Sequence, residues 1–238
     1  MPTEELFRED AYLRECDARI TYVGSPGGIM LDRTVFYPTG GGQPGDSGTL
    51  RLPDGRVLPI ATTVKGDGAE NIIHVPVEGV SLPPAGSAVV AAIDWERRYR
   101  HMRMHSALHL LCALVPHGVT GGRVGADKSS LDFDSGDSAL DKDALTEALN
   151  RLVAEDHPIL TRWIGEEQLA AQPDLIRTMS VSPPTGAGHV RLLEIVDVDL
   201  QPCGGTHVRR TGEIGPLAVT KIESKGKRNR RISIALLD

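Results

Sequence analysis

The sequence predicts an α+β protein in two parts: a small β-barrel-like domain over residues 1–92, then an α+β domain over residues 93–238. Three observations lead there. Before residue 93 the chain alternates short β-branched and apolar runs with glycine and proline turns, and offers no long helical pattern. From Asp94 a helical pattern runs until Pro116, whose ring and missing N–H forbid continuation. Beyond it, strand-like and helical segments mix to the end of the chain. An apolar share of 40% in 238 residues is enough core for one large or two small domains.

In chain order, residues 5–22 read as a short amphipathic segment followed by a strand over 18–23. A turn at 24–28 leads to a second strand through Met30 and Leu31. The run Phe36-Tyr-Pro-Thr-Gly-Gly-Gly-Gln-Pro-Gly-Asp-Ser-Gly48 is next. Gly40, Gly41 and Gly42 cannot fill a core, so they imply a backbone conformation or close approach that a side chain would block. Gln43 offers an amide donor and a carbonyl acceptor beside them. Strands over 57–64, 71–77 and 87–93, with turns at 65–68 and 83–86, complete a small barrel or sandwich. His74 lies inside one of these strands and reads as a packed or half-exposed residue, not a ligand.

Asp94 can cap the helix that follows. Ala107, Leu108, Leu111 and Leu114 form its inward stripe, with His105 and His109 at the stripe's edge and Cys112 as core. Residues 119–134 hold a glycine-rich turn and a strand ending at 131–134. A second helix over 141–156 carries Leu145, Leu149, Leu152 and Val153 on one face and is ended by Pro158. A strand over 159–164, a short helix over 167–171, a loop at 183–188 with His189 at a strand start, and a strand over 191–198 follow. The last pair, 216–222 and 231–237, reads as a β-hairpin with a long basic loop.

Two short stretches carry the chemistry. His105-Ser-Ala-Leu-His109 places two imidazoles one helical turn apart, and Cys203-Gly-Gly-Thr-His207 supplies a thiolate and a third imidazole around glycines able to turn tightly. Three nitrogens and one sulfur, from His105, His109, Cys203 and His207, suit zinc. A metalloprotease of the His-Glu-x-x-His type is excluded, because Ser106 stands where the glutamate base is needed. A zinc finger would space its ligands within a small module, so a functional site is the expectation.

A net charge of -6 argues against general nucleic-acid binding, yet the charge is unevenly placed. Lys221, Lys225, Lys227, Arg228, Arg230 and Arg231 face one acid, Glu223, and a second basic run holds Arg97, Arg98, Arg100 and Arg103. Such runs are commonly solvated faces; beside a metal site they are candidate phosphate contacts, Arg103, Lys225 and Arg230 among them. No stretch approaches the roughly twenty apolar residues of a membrane span, the first residues do not resemble a secretory signal, and three cysteines form no disulfide pattern, so a cytoplasmic protein is expected.

His105-Ser-Ala-Leu-His-Leu-Leu111 with Cys203-Gly-Gly-Thr-His-Val208 resembles the editing domain shared by alanyl- and threonyl-tRNA synthetases. The glycine-rich run from Phe36 to Gly48 is similar to a segment on the alanyl side. With 238 residues leaving no room for an aminoacylation domain, the chain resembles free-standing alanyl-tRNA editing proteins of the AlaX type, in their longer form, from about Leu6 to Ile234. The resemblance implies an aminoacyl-tRNA deacylase that acts on tRNA(Ala) carrying serine, or also glycine. Under it, His105, His109, Cys203 and His207 hold zinc and Gln43 and Thr206 are the candidate catalytic residues. Gly41, Gly42, Arg103, Gly204, Gly205, Lys225 and Arg230 are the substrate contacts. Four protein ligands fill a tetrahedral zinc, so water enters as a fifth ligand, displaces one, or is activated elsewhere. The rival readings are a deacylase of Ser-tRNA(Thr) and a non-catalytic tRNA-binding protein with structural zinc; the Gly-Gly-Gly-Gln segment favours the alanyl branch. Thr39, where relatives are expected to carry an acidic or other polar group, and Ser106, where threonine is frequent, are the departures.

Overall fold

The computed structural model describes residues 2–24, 28–67, 71–136, 138–179 and 188–237. The turns expected at 24–28 and 65–68 lie partly, and the loop at 183–188 almost wholly, outside the described residues. The chain divides into two compact units, Met1–Tyr99 and Arg100–Asp238.

The first unit contains β1 (Glu4–Glu5), α1 (Leu6–Glu9), β2 (Glu15–Val23), β3 (Ile29–Leu31), β4 (Arg33–Thr34), β5 (Gly48–Arg51), β6 (Val57–Lys65), β7 (Ile72–Pro76) and β8 (Ala88–Ile93). Six of them close a barrel in the order β2-β3-β7-β6-β5-β8, antiparallel at every seam. Period-two alternation fills it: Ala18 and Ile20 from β2, Leu58 and Ile60 from β6, and Val89, Ala91 and Ile93 from β8 point inward with Leu50 and Phe36. Strand β5 is absent from the sequence reading because it begins inside the glycine-rich run. Its Gly48 lies so close to β8 that a Cβ there would fall 2.1 Å from the Ala92 carbonyl oxygen.

The glycine run folds as a tight turn in which Gly40 and Gln43 exchange backbone N–H···O bonds of 3.0 and 2.9 Å. Gly41 and Gly42 have φ of 55° and 80°, left-handed values that glycine adopts without penalty. Gly45 serves close approach instead: a Cβ would sit 1.8 Å from the Thr63 carbonyl oxygen. Buried His74 accepts from or donates to Thr34 Oγ1 at 2.8 Å and lies 3.1 Å from Ile29 O, so it is a satisfied core residue. Desolvation pushes its pKa down to about 4.

Helix α2 (Trp95–Leu114) starts in the first unit and runs into the second. Asp94 caps it, accepting from the Arg97 N–H at 3.2 Å. The expected single stripe is replaced by burial nearly all round from Met102 onward, where Met102, Met104, Ala107, Leu110 and Leu111 are enclosed together with His105, Ser106 and His109. Two arginines of the basic run at its start are held by the barrel unit. Arg98 is 0% and Asp46 1% exposed; the guanidinium forks onto both Asp46 oxygens and also donates to Ala11 O (3.0 Å) and Val35 O (2.7 Å). Arg97 donates to Gly45 O at 2.7 Å.

The second unit continues with β9 (Val119–Arg123), β10 (Lys128–Asp134), α3 (Lys142–Ala154), β11 (Ile159–Gly165), α4 (Glu166–Ala170), β12 (His189–Ile195), β13 (Asp199–Pro202), β14 (Leu217–Ser224) and β15 (Asn229–Leu236). They form a four-stranded sheet, β14-β15-β10-β9, and a three-stranded sheet, β11-β12-β13, both antiparallel. Asp141 caps α3 by accepting from the Asp143 and Ala144 N–H groups, and Asn150 ties the helix to β14 through both the N–H and the carbonyl of Leu217. The final hairpin differs from expectation. Its strands run on to Ser224 and Asn229, which places several basic residues in strands, and β10 answers them: Arg231 grips Asp132 at 2.7 Å through two nitrogens, and Arg228 grips Asp134 at 2.8 and 3.0 Å. Among the described residues no helix is long and apolar enough to cross a membrane.

Candidate metal centre

Four side chains from the two sequence stretches meet in the second unit. The ligand atoms of His105, His109, Cys203 and His207 all lie within 4.8 Å of one another. Helix α2 supplies the first two one turn apart, and the segment after β13 supplies the others. Cys203 Sγ is 3.7 Å from His105 Nε2 and 3.2 Å from His207 Nε2. A tetrahedral zinc with ordinary Zn–N and Zn–S bonds separates such atoms by about 3.6 Å, so the spacing fits the ion.

Two of the remaining ring nitrogens are engaged from behind. His109 Nδ1 is 3.3 Å from Asp199 Oδ2, which leaves Nε2 for the cluster. Asp199 is itself buried, accepts from Gln201 Nε2 at 2.6 Å and pairs with Arg177 at 3.7 Å. His207 Nδ1 is 3.3 Å from Ser106 Oγ, which also accepts from the Val208 N–H. The Cys203–Gly205 turn is pinned by Arg191, whose Nη1 donates to the carbonyls of Cys203 and Gly205 at 2.9 Å each. The Gly205 N–H points at Cys203 Sγ, 3.4 Å away.

Electrostatics favour the thiolate. Burial acts to raise the Cys203 pKa, but His105, His207 and His109 together hold it well below the usual thiol range. Burial acts to lower that of His109, yet Cys203 and Asp199 lift it to about 9. Burial and its histidine neighbours hold His207 well below the ordinary imidazole range. Burial, with the nearby Asp199 and Cys203 charges, pushes Cys112, on the same helix, up to about 12, so it is an inert core thiol.

Residues 190–233 match the model of the threonyl and alanyl tRNA synthetase second additional domain. Across the whole chain, the alanyl-tRNA editing protein AlaX-M of Methanosarcina acetivorans is 37% identical, covering 99% of this chain and 100% of its own length. The chain belongs to the alanyl-tRNA editing protein family. Its members are deacylating hydrolases. The family's AlaX-L protein of Pyrococcus horikoshii is 32% identical over 96% of this chain, which spans 57% of that relative. The alanine–tRNA ligase of Pyrobaculum neutrophilum is 34% identical over 93% of this chain and 25% of its own length.

In this family member the other predicted site residues are distributed as follows. Gln43 is buried on the glycine turn of the barrel unit with Gly41 and Gly42. Thr206 and Gly205 are buried beside the cluster and Gly204 is exposed. Arg103 donates to Ile214 O at 2.8 Å and is thereby anchored within the protein. Lys225 is exposed at the tip of the last hairpin, and Arg230 is half-buried beside it, 3.4 Å from Ser224 Oγ. Sequence reasoning missed Ser106, Arg191, Asp199 and Gln201. A signal for two of them existed: Asp199, Gln201 and Cys203 alternate with period two, so a strand there puts all three on one face.

Proposed function

We propose that the chain is a trans-editing enzyme that hydrolyses the ester joining serine, and also glycine, to tRNA(Ala), acting in the cytoplasm where tRNA is charged. The reading is carried by one observation: the His105, His109, Cys203 and His207 ligand atoms converge within 4.8 Å in a chain similar over its full length to proteins named for alanyl-tRNA editing. The donor set of three imidazoles and a thiolate suits zinc, and the four residues are its proposed ligands. Zinc bound there supplies Lewis acidity toward an ester oxygen.

The chain's own groups do the positioning. Asp199 fixes the His109 ring and Ser106 the His207 ring, so both present Nε2 inward. Arg191 clamps the Cys203–Gly205 carbonyls, which holds the Gly204 and Gly205 backbone and the Thr206 hydroxyl as proposed contacts for the ester. Gln43, Gly41 and Gly42, on their rigid turn, and Arg103, Lys225 and Arg230 are retained as candidates for substrate handling. In hydrolysis, the water oxygen bonds to the carbonyl carbon, the bond to the ribose oxygen breaks, and that oxygen takes a proton.

Release of radiolabelled serine from Ser-tRNA(Ala), beside Ser-tRNA(Thr) and Ala-tRNA(Ala), tests this. Serine release from Ser-tRNA(Ala) by wild type, lost in Cys203→Ala and with Ala-tRNA(Ala) spared, is expected. Preferential release from Ser-tRNA(Thr) overturns the tRNA(Ala) assignment, and binding without release from any of them overturns the enzyme reading.

A further inference from the structure

Strand β11 is an edge of the three-stranded sheet, and Trp163 on it is 51% exposed. Its place in the register is informative. Trp163 lies opposite Arg191 on β12, and the Cys203 N–H donates to Arg191 O at 3.1 Å on the far side. Trp163, Arg191 and Cys203 therefore occupy one cross-strand row, two strand spacings or roughly 10 Å from end to end. Directly opposed residues point to the same face, so Trp163 shares its face with Thr161, Arg191, Leu193, Gln201 and Asp199. That is the face whose side chains support the metal cluster: Arg191 clamps the Cys203 turn and Asp199 holds His109. Arg191 also reaches Thr161 Oγ1, in the neighbouring row, at 3.1 Å. Exposed His189, opposite Gly165 on the same face, packs against Trp163 in a T-shaped pair, with ring centroids 5.1 Å apart and planes at 72°.

We propose that Trp163, braced by His189, is a stacking platform for the 3′-terminal adenine of the aminoacyl-tRNA. The inference rests on the deacylase reading and extends it from the ester to the base. An aminoacyl ester placed at the cluster carries its ribose and adenine away from it, and the row leads outward from Cys203 past Arg191 to one open aromatic face. Single-stranded RNA ends are held by stacking of unpaired bases on aromatic rings, and the 3′ end of tRNA is unpaired. The T-shaped contact with His189 holds the ring, so the base meets a fixed plane.

Trp95 and Trp163 are the two tryptophans of the chain, so Trp95→Phe leaves Trp163 as the sole reporter. Titration of that protein with 3′-(L-serylamino)-3′-deoxyadenosine, a non-hydrolysable amide of the substrate end, is expected to quench Trp163 saturably. In steady-state assays on Ser-tRNA(Ala), Trp163→Ala is expected to raise KM roughly 5- to 150-fold with kcat unchanged, the range a lost base stack gives. Trp163→Phe should recover most of the loss, since it keeps an aromatic face. Absence of quenching by the analogue, or a wild-type KM in Trp163→Ala, overturns the proposal. If wild type releases serine from no tRNA, the deacylase reading falls, and the quenching titration decides the platform independently.

Discussion

Replacing Arg98 by methionine should cost the barrel unit about 3–5 kcal/mol. The side chain is fully enclosed, and its loss strips Asp46 of its fork and leaves the Ala11 and Val35 carbonyls without a donor. Asp46 retains the Tyr37 N–H at 2.6 Å, which does not offset an unpaired buried carboxylate. Against a total stability of about 5–15 kcal/mol the loss is large, and at a urea dependence of about 2 kcal/mol/M the unfolding midpoint should fall by roughly 2 M. The assay is urea unfolding followed by Trp95 fluorescence in a Trp163→Phe background, which reports the unit that contains the pair. The double variant Arg98→Met/Asp46→Leu should recover much of the loss, because an apolar pair removes the stranded charge, with the Tyr37 N–H left as a residual cost of about 1–3 kcal/mol. A midpoint shift of less than about 0.5 M in Arg98→Met refutes the reasoning, since it would mean Asp46 is not held by this arginine.

Asp199→Asn should weaken zinc affinity about 10- to 100-fold in a chelator-competition titration, because the amide cannot polarise His109 as the carboxylate does; unchanged affinity removes the supporting role given to Asp199. His74 has a folded-state pKa of about 4 against an ordinary 6.5, so the unfolded chain binds its proton first as pH falls. Its stabilising contribution is therefore present above pH 6.5, declines between 6.5 and about 4, and amounts to about 3 kcal/mol. Urea unfolding of wild type and His74→Gln at pH 7 and 4.5 checks this, the variant being expected to show a shallower decline. Gly45→Ala should destabilise by about 1–3 kcal/mol or more through its clash with Thr63 O, whereas Gly41→Ala, with open space but φ of 55°, should cost only about 1 kcal/mol; equal thermal shifts would contradict the distinction.

Local chemistry made much of this legible. The Asp94 cap, the Pro116 stop and the barrel strands can be read because a few neighbouring residues determine each. The His/Cys cluster was readable for a related reason: its four side chains come in two short motifs, and only their meeting required the fold. What escaped depends on partners distant in sequence. Strand β5 looks like glycine-rich loop until Gly48 is seen packed against Ala92. The basic segment at the end of the chain looks like one uniform run until Asp132 is found across the ladder from Arg231, and Asp134, opposite Asn229, is found gripped by Arg228. Arg98 looks like part of an exposed run until Asp46, far upstream, is found beneath it.

His105 and Cys203 are 98 positions apart in the chain, and that interval is also a time. At about 5–20 residues per second, a ribosome takes roughly 5–20 s to add the second pair of donors after the first. The last barrel strand ends at Ile93 and so emerges before either pair. During synthesis the nascent protein thus acquires a finished barrel first and then carries two histidines that lack half of their coordination set. The four-donor cluster is complete only once His207 has been added, so a chain truncated before Cys203 should leave the ribosome unable to capture an ion tightly.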